Sequence, residues 1–337
     1  APEANTRLRA LWVAASTCRD SPEADLLEEV WQRLRHDNCS NMSLEDRAEH
    51  TLGTAFCEYY AGDKTISRAM IQNIIGELER QGVSNSVYLS LVLGLGAIHS
   101  ALGDYEQSVL VQEKGIGIAR KIGDERRLRM MAGNIALSQC RLGANDKALA
   151  WADFALTIPA STIGLAEHYQ LHSTRARAYA MLGDQPASLS ALAAGDRTGT
   201  QIGPHYLDQA WRLRKADIYS ILGRNKEAAR EGLAAVSGTN SALGSDRFAG
   251  PYARWSARVA ATYPSKISAA RERINTLMLR RPSLDLVDQA EILNAQLWLE
   301  REEGRMDQVG LAELWHRLNK LPIGVTHELQ AMGMLQF

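Results

Sequence analysis

The sequence predicts an all-α protein built as a solenoid of stacked helical hairpins. Two observations carry this prediction. The dipeptide Leu-Gly recurs at residues 102–103, 142–143, 182–183 and 222–223, a spacing of 40 residues each time. Runs of apolar residues with helical period flank each of these steps. A fixed period of this length indicates a repeat protein, in which each unit buries its apolar face against its neighbours.

Residues 89–124 are the template for the repeat. One helix-period run ends at Leu102-Gly103, a tight turn carries Asp104, and a second run ends at Gly123. A chain that leaves a helix commonly places one residue in the left-handed region, where a Cβ is penalised. We therefore expect the turn glycines at 62, 103, 143, 183, 223 and 304 to adopt positive φ.

The period predicts a single solenoid domain over residues 1–337, with eight units. The first unit has an N-cap at Ser21-Pro22, and the second begins with a capping box, Ser43 and Asp46. The seventh unit replaces the glycine by Pro264-Ser265, which is a different helix-breaking turn. The predicted units are about 6–37, 43–82, 87–123, 125–158, 165–196, 206–237, 250–280 and 283–320, followed by a short closing helix at about 326–335.

Small residues recur at fixed distances from the turns. Seven residues before each turn stand Ala55, Gly96, Ala136, Ala176, Ala216 and Ser256, and after it stand Ser108, Ala148, Ser188 and Ala228. A side chain at these positions would lie where two helices touch. The pattern therefore predicts close contact between the two helices of a unit.

Composition excludes several classes of protein. A net charge of -1 and 45% apolar residues argue against a disordered chain and against a long basic surface for nucleic acid. No run approaches the roughly 18 apolar residues of a membrane span. The four cysteines form no Cys-x-x-Cys pair, which favours reduced thiols and a cytoplasmic protein. Because the chain begins at Ala1 and is already helical in period from Thr6, we expect it to be a piece of a longer protein.

The pattern resembles the tetratricopeptide repeat in its longer version, with about 40 residues per unit. The matching residues are Leu95-Gly96, Gly103-Asp104-Tyr105, Ser108 and Gly115 in unit three, Ala176, Tyr179, Gly183-Asp184 and Ser188 in unit five, and Ala216, Tyr219, Gly223 and Ala228 in unit six. The resemblance implies a right-handed superhelix whose first helices line a concave groove, with eight units in about one turn. Long-period arrays of this kind look like the sensor portions of maltotriose-type transcriptional activators, of related multidomain ATPases and of peptide-pheromone receptors.

The register places certain first-helix side chains on the groove wall. Aromatic and arginine side chains are favoured anchors at binding surfaces. The predicted groove residues are Phe56, Tyr59, Tyr60, Asn134, Arg141, Ser173, Thr174, Arg177, Arg214, Asp217, Arg254, Asn294 and Trp298. The alternative is a solvated wall without a ligand.

Arg175 and Lys215 depart from the repeat, because other units carry an apolar residue there. Buried cations need partners. The partner is either an anionic ligand, such as a carboxylate, a phosphate or a peptide C-terminus, or a carboxylate of the protein, Asp217 or Glu167. We include both cations among the candidate binding residues.

No catalytic constellation, cofactor motif or metal site is predicted. His168 and His172 are four residues apart on one helix, but the Glu of a zinc-protease motif is missing, so packing or surface roles are favoured. The sequence therefore predicts a non-enzyme: a regulatory domain that senses a peptide or a small anionic metabolite and acts on an effector domain elsewhere in a larger signalling or transcription-regulating protein. The alternative is a scaffold that holds a partner protein for assembly or chaperoning. Neither hypothesis involves a membrane or direct contact with nucleic acid.

Overall fold

The computed structural model describes residues 42–61, 63–159, 165–202, 206–237, 249–280 and 284–302. The predicted first unit, the second helix of unit eight, the closing helix, Gly62 and Gly304 lie outside these residues. Within them the chain is helical throughout, with no strand. The α-helices are α1 (Leu44–Ala61), α2 (Lys64–Arg80), α3 (Ser86–Ala101), α4 (Tyr105–Ile122), α5 (Glu125–Arg141), α6 (Asn145–Thr157), α7 (Leu165–Met181), α8 (Gln185–Ile202), α9 (Tyr206–Ile221), α10 (Asn225–Ser237), α11 (Ala249–Thr262), α12 (Ile267–Arg280) and α13 (Leu286–Glu302).

Consecutive helices pack as hairpins. Each odd-numbered helix from α1 to α11 packs on the even-numbered helix that follows it, and each even-numbered helix packs on the first helix of the next hairpin. The first helices also contact one another in an unbroken row, from α1 through α3, α5, α7, α9 and α11 to α13. This row forms the inner wall of the solenoid. None of the helices in the described ranges combines the length and apolar character that a bilayer crossing requires.

The glycine turns confirm the predicted backbone. Gly103, Gly143, Gly183 and Gly223 have φ between 71° and 79°, which is the left-handed region. After the first of these glycines, the backbone N–H of Asp104 donates to the carbonyl of His99 at 2.8 Å, and the same bond recurs after the other three at 2.8 to 2.9 Å. These bonds satisfy carbonyls at the end of the first helix, as a Schellman-type turn does.

The close contact within each unit is also confirmed. The hydroxyl of Ser108 donates to the carbonyl oxygen of Gly96 at 2.8 Å, and Ser188 donates to Ala176 in the same way at 2.7 Å. In α2, Ser67 makes this bond to Ala55 at 2.6 Å. The serine always lies twelve residues after the small residue. Only a small side chain lets the second helix come near enough for this bond.

Contact between units uses a different device. Glycines in second helices receive bulky side chains of the next first helix. A Cβ at Gly195 would lie 2.5 Å from Cζ2 of Trp211, and one at Gly115 would lie 2.7 Å from the sulfur of Met131. The indole of Trp211 also donates to Asp196 at 2.5 Å. Such distances leave no room for a larger residue, so these glycines set the spacing between neighbouring hairpins.

The seventh unit turns differently, as predicted. A 3₁₀ turn at Pro264–Lys266 replaces the glycine and leads into α12. Cys57 and Cys140 are buried in the hydrophobic interior, and neither is disulfide-bonded within the described residues.

Candidate peptide-binding groove

The inner wall carries one register column at 40-residue intervals, formed by Asn134, Thr174, Arg214, Arg254 and Asn294. Asn134 donates from Nδ2 to the amide oxygen of buried Gln112 at 3.1 Å. Nη1 of Arg214 donates to Oγ of Ser173 on the preceding first helix at 3.1 Å. Thr174 is buried and bonds within its own helix. The predicted residues of this column therefore divide into half-buried side chains, at Asn134, Arg214 and Asn294, and buried side chains, at Thr174 and Arg254.

Arg254 belongs to the second group. Its side chain is only 4% exposed, and its guanidinium donates to Asp217 at 2.6 Å and to Glu291 at 2.8 Å. Asp217 also accepts the indole N–H of Trp255 at 2.7 Å. The arginine thus joins α9, α11 and α13 through charge-assisted bonds.

Arg141 ends α5 beside the groove. Its guanidinium lies 5.2 Å from the ring centre of Tyr105 and donates to the hydroxyl of the same residue at 3.2 Å. Arg177 lies half-buried on α7. Together with Arg214, these residues place three guanidinium groups on successive odd-numbered helices.

Arg175 and Lys215 are paired with carboxylates of the protein itself. Arg175 contacts Asp153 on α6 at 2.8 Å. Lys215 contacts Asp196 on α8 at 3.1 Å and buried Glu231 on α10 at 3.9 Å. The pairing is internal, but the partners differ from the expected ones: Asp217 bonds to Arg254, and the side chain of Glu167 lies outside the described residues. Both cations point toward second helices because the second-helix carboxylates lie there.

The aromatic residues of the prediction lie at the two ends of the array. Trp298 on α13 packs half-buried against the hydrophobic cluster of the last units. Tyr59 and Phe56 lie half-buried on α1, and the side chain of Tyr60 lies outside the described residues. Asn294 is half-buried on α13.

The first two described helices meet the start of the last described one, α13. The hydroxyl of Tyr59 donates to Oδ1 of Asp285 at 3.5 Å, across 226 residues of sequence, and Nζ of Lys64 lies 3.6 Å from the same oxygen. The solenoid therefore returns on itself between α1–α2 and the start of α13. A cavity of about 350 Å³ lies beside this contact, between the turn at Asp63-Lys64, the end of α3 and residues 284–289.

Three acidic residues that sequence reasoning missed lie at this closure: Asp285, Asp288 and Glu291. Asp288 and Glu291 are three residues apart on one stripe of α13, and Asp285 directly precedes the first residue of this helix. Burial raises the pKa of Asp288 well above its usual range, and the nearby Asp285 and Glu291 raise it further against the opposing effects of Arg141 and the Gly250 N–H. Burial also raises the pKa of Asp285, with Lys64 and Arg141 opposing it. The stripe was visible in the sequence, but only the tertiary structure shows that it faces inward.

His172 lies within a group of positive charges on α7 and α8. Burial, together with Arg175, His168 and Arg197, lowers the pKa of His172 to about 4. The imidazole is therefore neutral at physiological pH. Among the described residues, no group of three His, Cys, Asp or Glu side chains could hold a metal ion.

Solved structures establish the fold class. A Rap protein complexed with Competence and Sporulation Factor superposes with a TM-score of 0.64 at 14% identity, covering 98% of this chain and 89% of its own. The Rap conjugation gene regulator of the plasmid pLS20, in complex with the Phr* peptide, gives 0.54 at 12% identity, covering 84% of this chain and 70% of its own. A tetratricopeptide repeat protein from Parabacteroides merdae gives 0.45 at 13% identity, covering 85% and 99%. No protein-family model and no curated protein matches the sequence.

At these identities the likeness of the two Rap structures shows the fold alone, an all-α stack of helical hairpins. The resemblance to the sensor portions of maltotriose-type activators and multidomain ATPases stays a prediction. The groove residues likewise stay candidates.

Proposed function

We propose that this protein binds an extended peptide along its concave groove and acts as a regulatory module. The observation that carries the proposal is the unbroken row of first helices, each of which presents side chains in the same register. Packed helices are about 8–10 Å apart and an extended chain advances about 3.3 Å per residue, so one first helix corresponds to roughly three peptide residues. The half-buried residues from α5 to α9 thus suit a ligand of about nine residues.

The chemistry of the wall supports a peptide. Asn134 carries both a donor and an acceptor, which matches the alternating N–H and C=O groups of an extended backbone. Arg141, Arg177 and Arg214 suit carboxylates, either acidic side chains or a C-terminus. We therefore expect a peptide with net negative charge.

The fold neighbours support the same proposal. One of them is a conjugation gene regulator in complex with the Phr* peptide. We further propose that this chain belongs to a larger bacterial signalling or transcription-regulating protein in the cytoplasm, and that ligand binding is passed to an effector domain outside these residues. A small anionic metabolite would use the same arginines. A scaffold that holds a partner protein remains the alternative function.

A library of nine-residue peptides, scanned by fluorescence anisotropy, tests the proposal. Arg214→Glu should weaken binding of the selected peptides at least tenfold, because a hydrogen bond to a charged group contributes about 1.5–3 kcal/mol. Asn134→Ala should weaken binding about fivefold, because a neutral hydrogen bond contributes about 1 kcal/mol. Arg126→Glu, at an exposed position on α5, is the matched control and should leave the affinity unchanged.

Circular dichroism must show equal helicity in all variants. Capture of no acidic peptide, or equal loss in the control variant, would refute groove binding. Binding of a long partner helix in place of short peptides would favour the scaffold.

A further inference from the structure

A second, smaller pocket lies away from the inner wall, between α10, α11 and α12. Its volume is about 150 Å³. Its floor is apolar, with Leu233, Val236 and Val259, and its polar lining includes Ser256, Lys266 and Arg273. It uses none of the groove residues.

The changed turn of unit seven explains why the pocket is there. In unit three, α4 begins at Tyr105, nine residues after the small residue Gly96, and Ser108 then bonds to the Gly96 carbonyl. In unit seven, the 3₁₀ turn intervenes and α12 begins at Ile267, eleven residues after Ser256. The second helix therefore enters two residues later. In units two, three and five a serine of the second helix donates to the carbonyl of the small residue; no such bond to the carbonyl of Ser256 is present among the described residues, and the pocket lies beside this position.

The buried hydroxyl of Ser256 is evidence for a ligand. Ser256 is 1% exposed, and its hydroxyl has no hydrogen-bond partner within the described part of the chain. Buried hydroxyls in folded proteins nearly always have at least one partner. A group that enters the pocket can supply it.

The charge of the lining defines the ligand class. Lys266 and Arg273 contribute two positive charges, and none of the described residues that line the pocket carries a carboxylate. The guanidinium of Arg273 lies 5.8 Å from the ring centre of Tyr252, which limits its freedom. An anion is therefore favoured at the polar side of the pocket, and an apolar body at its floor.

We propose that this pocket binds a short-chain carboxylate anion. Its carboxylate accepts hydrogen bonds from Ser256, Lys266 and Arg273, and its alkyl chain lies against Leu233, Val236 and Val259. A cavity of this volume holds about six non-hydrogen atoms, as small apolar ligands in cavities of similar size show. Pentanoate fits this size, with one oxygen at the surface.

The test uses pentanoate as the probe, with pentan-1-ol and pentylamine as neutral and cationic counterparts of equal length. Titration calorimetry of the full chain up to about 20 mM should show pentanoate binding at least tenfold more tightly than either counterpart. Ser256→Ala should weaken pentanoate about fivefold and Arg273→Gln at least tenfold. Arg126→Gln, on α5, is the matched control and should bind as the native chain does.

Ala270→Leu provides a second test, because the larger side chain fills the pocket and leaves Lys266 and Arg273 in place. It should abolish pentanoate binding while peptide binding in the groove persists. Pentanoate binding that is equal to pentan-1-ol binding, or unchanged by Arg273→Gln and Ala270→Leu, would overturn the proposal. The absence of pentanoate binding up to about 20 mM would overturn it as well.

Discussion

Replacing Arg254 by methionine tests whether this predicted groove residue acts as a structural bridge. The guanidinium is buried between Asp217 and Glu291, and the side chain of Glu291 is only 3% exposed. Methionine keeps much of the length and removes the charge. A buried carboxylate that loses its partner destabilises a protein by about 3–5 kcal/mol. Arg254→Met should therefore lower the free energy of unfolding by about this amount, a large part of a typical total of about 5–15 kcal/mol.

Urea unfolding monitored by circular dichroism measures this loss. The slope of the free energy of unfolding against urea concentration must be the same in the variant and the native chain for the two free energies to be compared. The matched control is Arg230→Met. Arg230 also contacts a buried glutamate, Glu231, at 3.3 Å, but its own side chain is 70% exposed. Because water screens an exposed charge, we expect a loss below about 1 kcal/mol for this variant.

A further measurement sharpens the prediction. The double variant Arg254→Met with Glu291→Met should recover most of the stability, since apolar residues often replace a buried ion pair without loss. A loss below about 1 kcal/mol in the single variant at neutral pH would refute the reasoning, because it would mean that water screens the pair.

Three other predictions test the packing, the titration and the closure. Gly195→Ala should destabilise the protein by about 1–3 kcal/mol, because the new Cβ would overlap the indole of Trp211. Gly117→Ala should stabilise it by up to about 1 kcal/mol, because no described atom lies within 4 Å of the new Cβ. Equal melting temperatures for the two variants would contradict this packing. His172 is neutral in the folded chain down to about pH 4, so the free energy of unfolding should fall as the pH falls from 6.5 to about 4. The full shift of the pKa corresponds to about 3.4 kcal/mol, and because the ring is partly exposed we expect a loss of about 2 kcal/mol. Urea unfolding of His172→Gln at the same pH values should lack this loss. In Lys64→Glu the new carboxylate should repel Asp285 and separate the two parts of the solenoid that this pair joins. Small-angle X-ray scattering should then show a larger maximum dimension at unchanged helicity. Scattering curves identical to those of the native chain would count against closure by this pair.

The repeat was readable from the sequence because its signals are local. A left-handed turn needs glycine at Gly103 or Gly183 whatever surrounds it, and close helix contact needs a small residue at Gly96 or Ala176. These requirements recur every 40 residues, so several independent positions fix one register. The break in unit seven was visible for the same reason, since proline cannot continue a helix.

The site was readable only in part. The 40-residue register placed Asn134 and Arg214 on the inner wall, but it could not distinguish them from Arg254, which has the same register and is buried between two carboxylates. Burial and charge partners depend on how far each unit rotates against the next. Arg175 and Lys215 were recognised as cations that need partners, yet their partners come from second helices of neighbouring units.

The sequence by itself determined the helices, the turns and the hairpin stack, because glycine, proline, small residues and apolar period act within one unit. Only the tertiary structure decided which charges meet. The bond between Tyr59 and Asp285 joins residues 226 positions apart, and it exists because small rotations between hairpins accumulate until the array returns on itself. No local pattern encodes that sum, so the closure, the inward acidic stripe and the pocket beside Ser256 follow from the assembled structure alone.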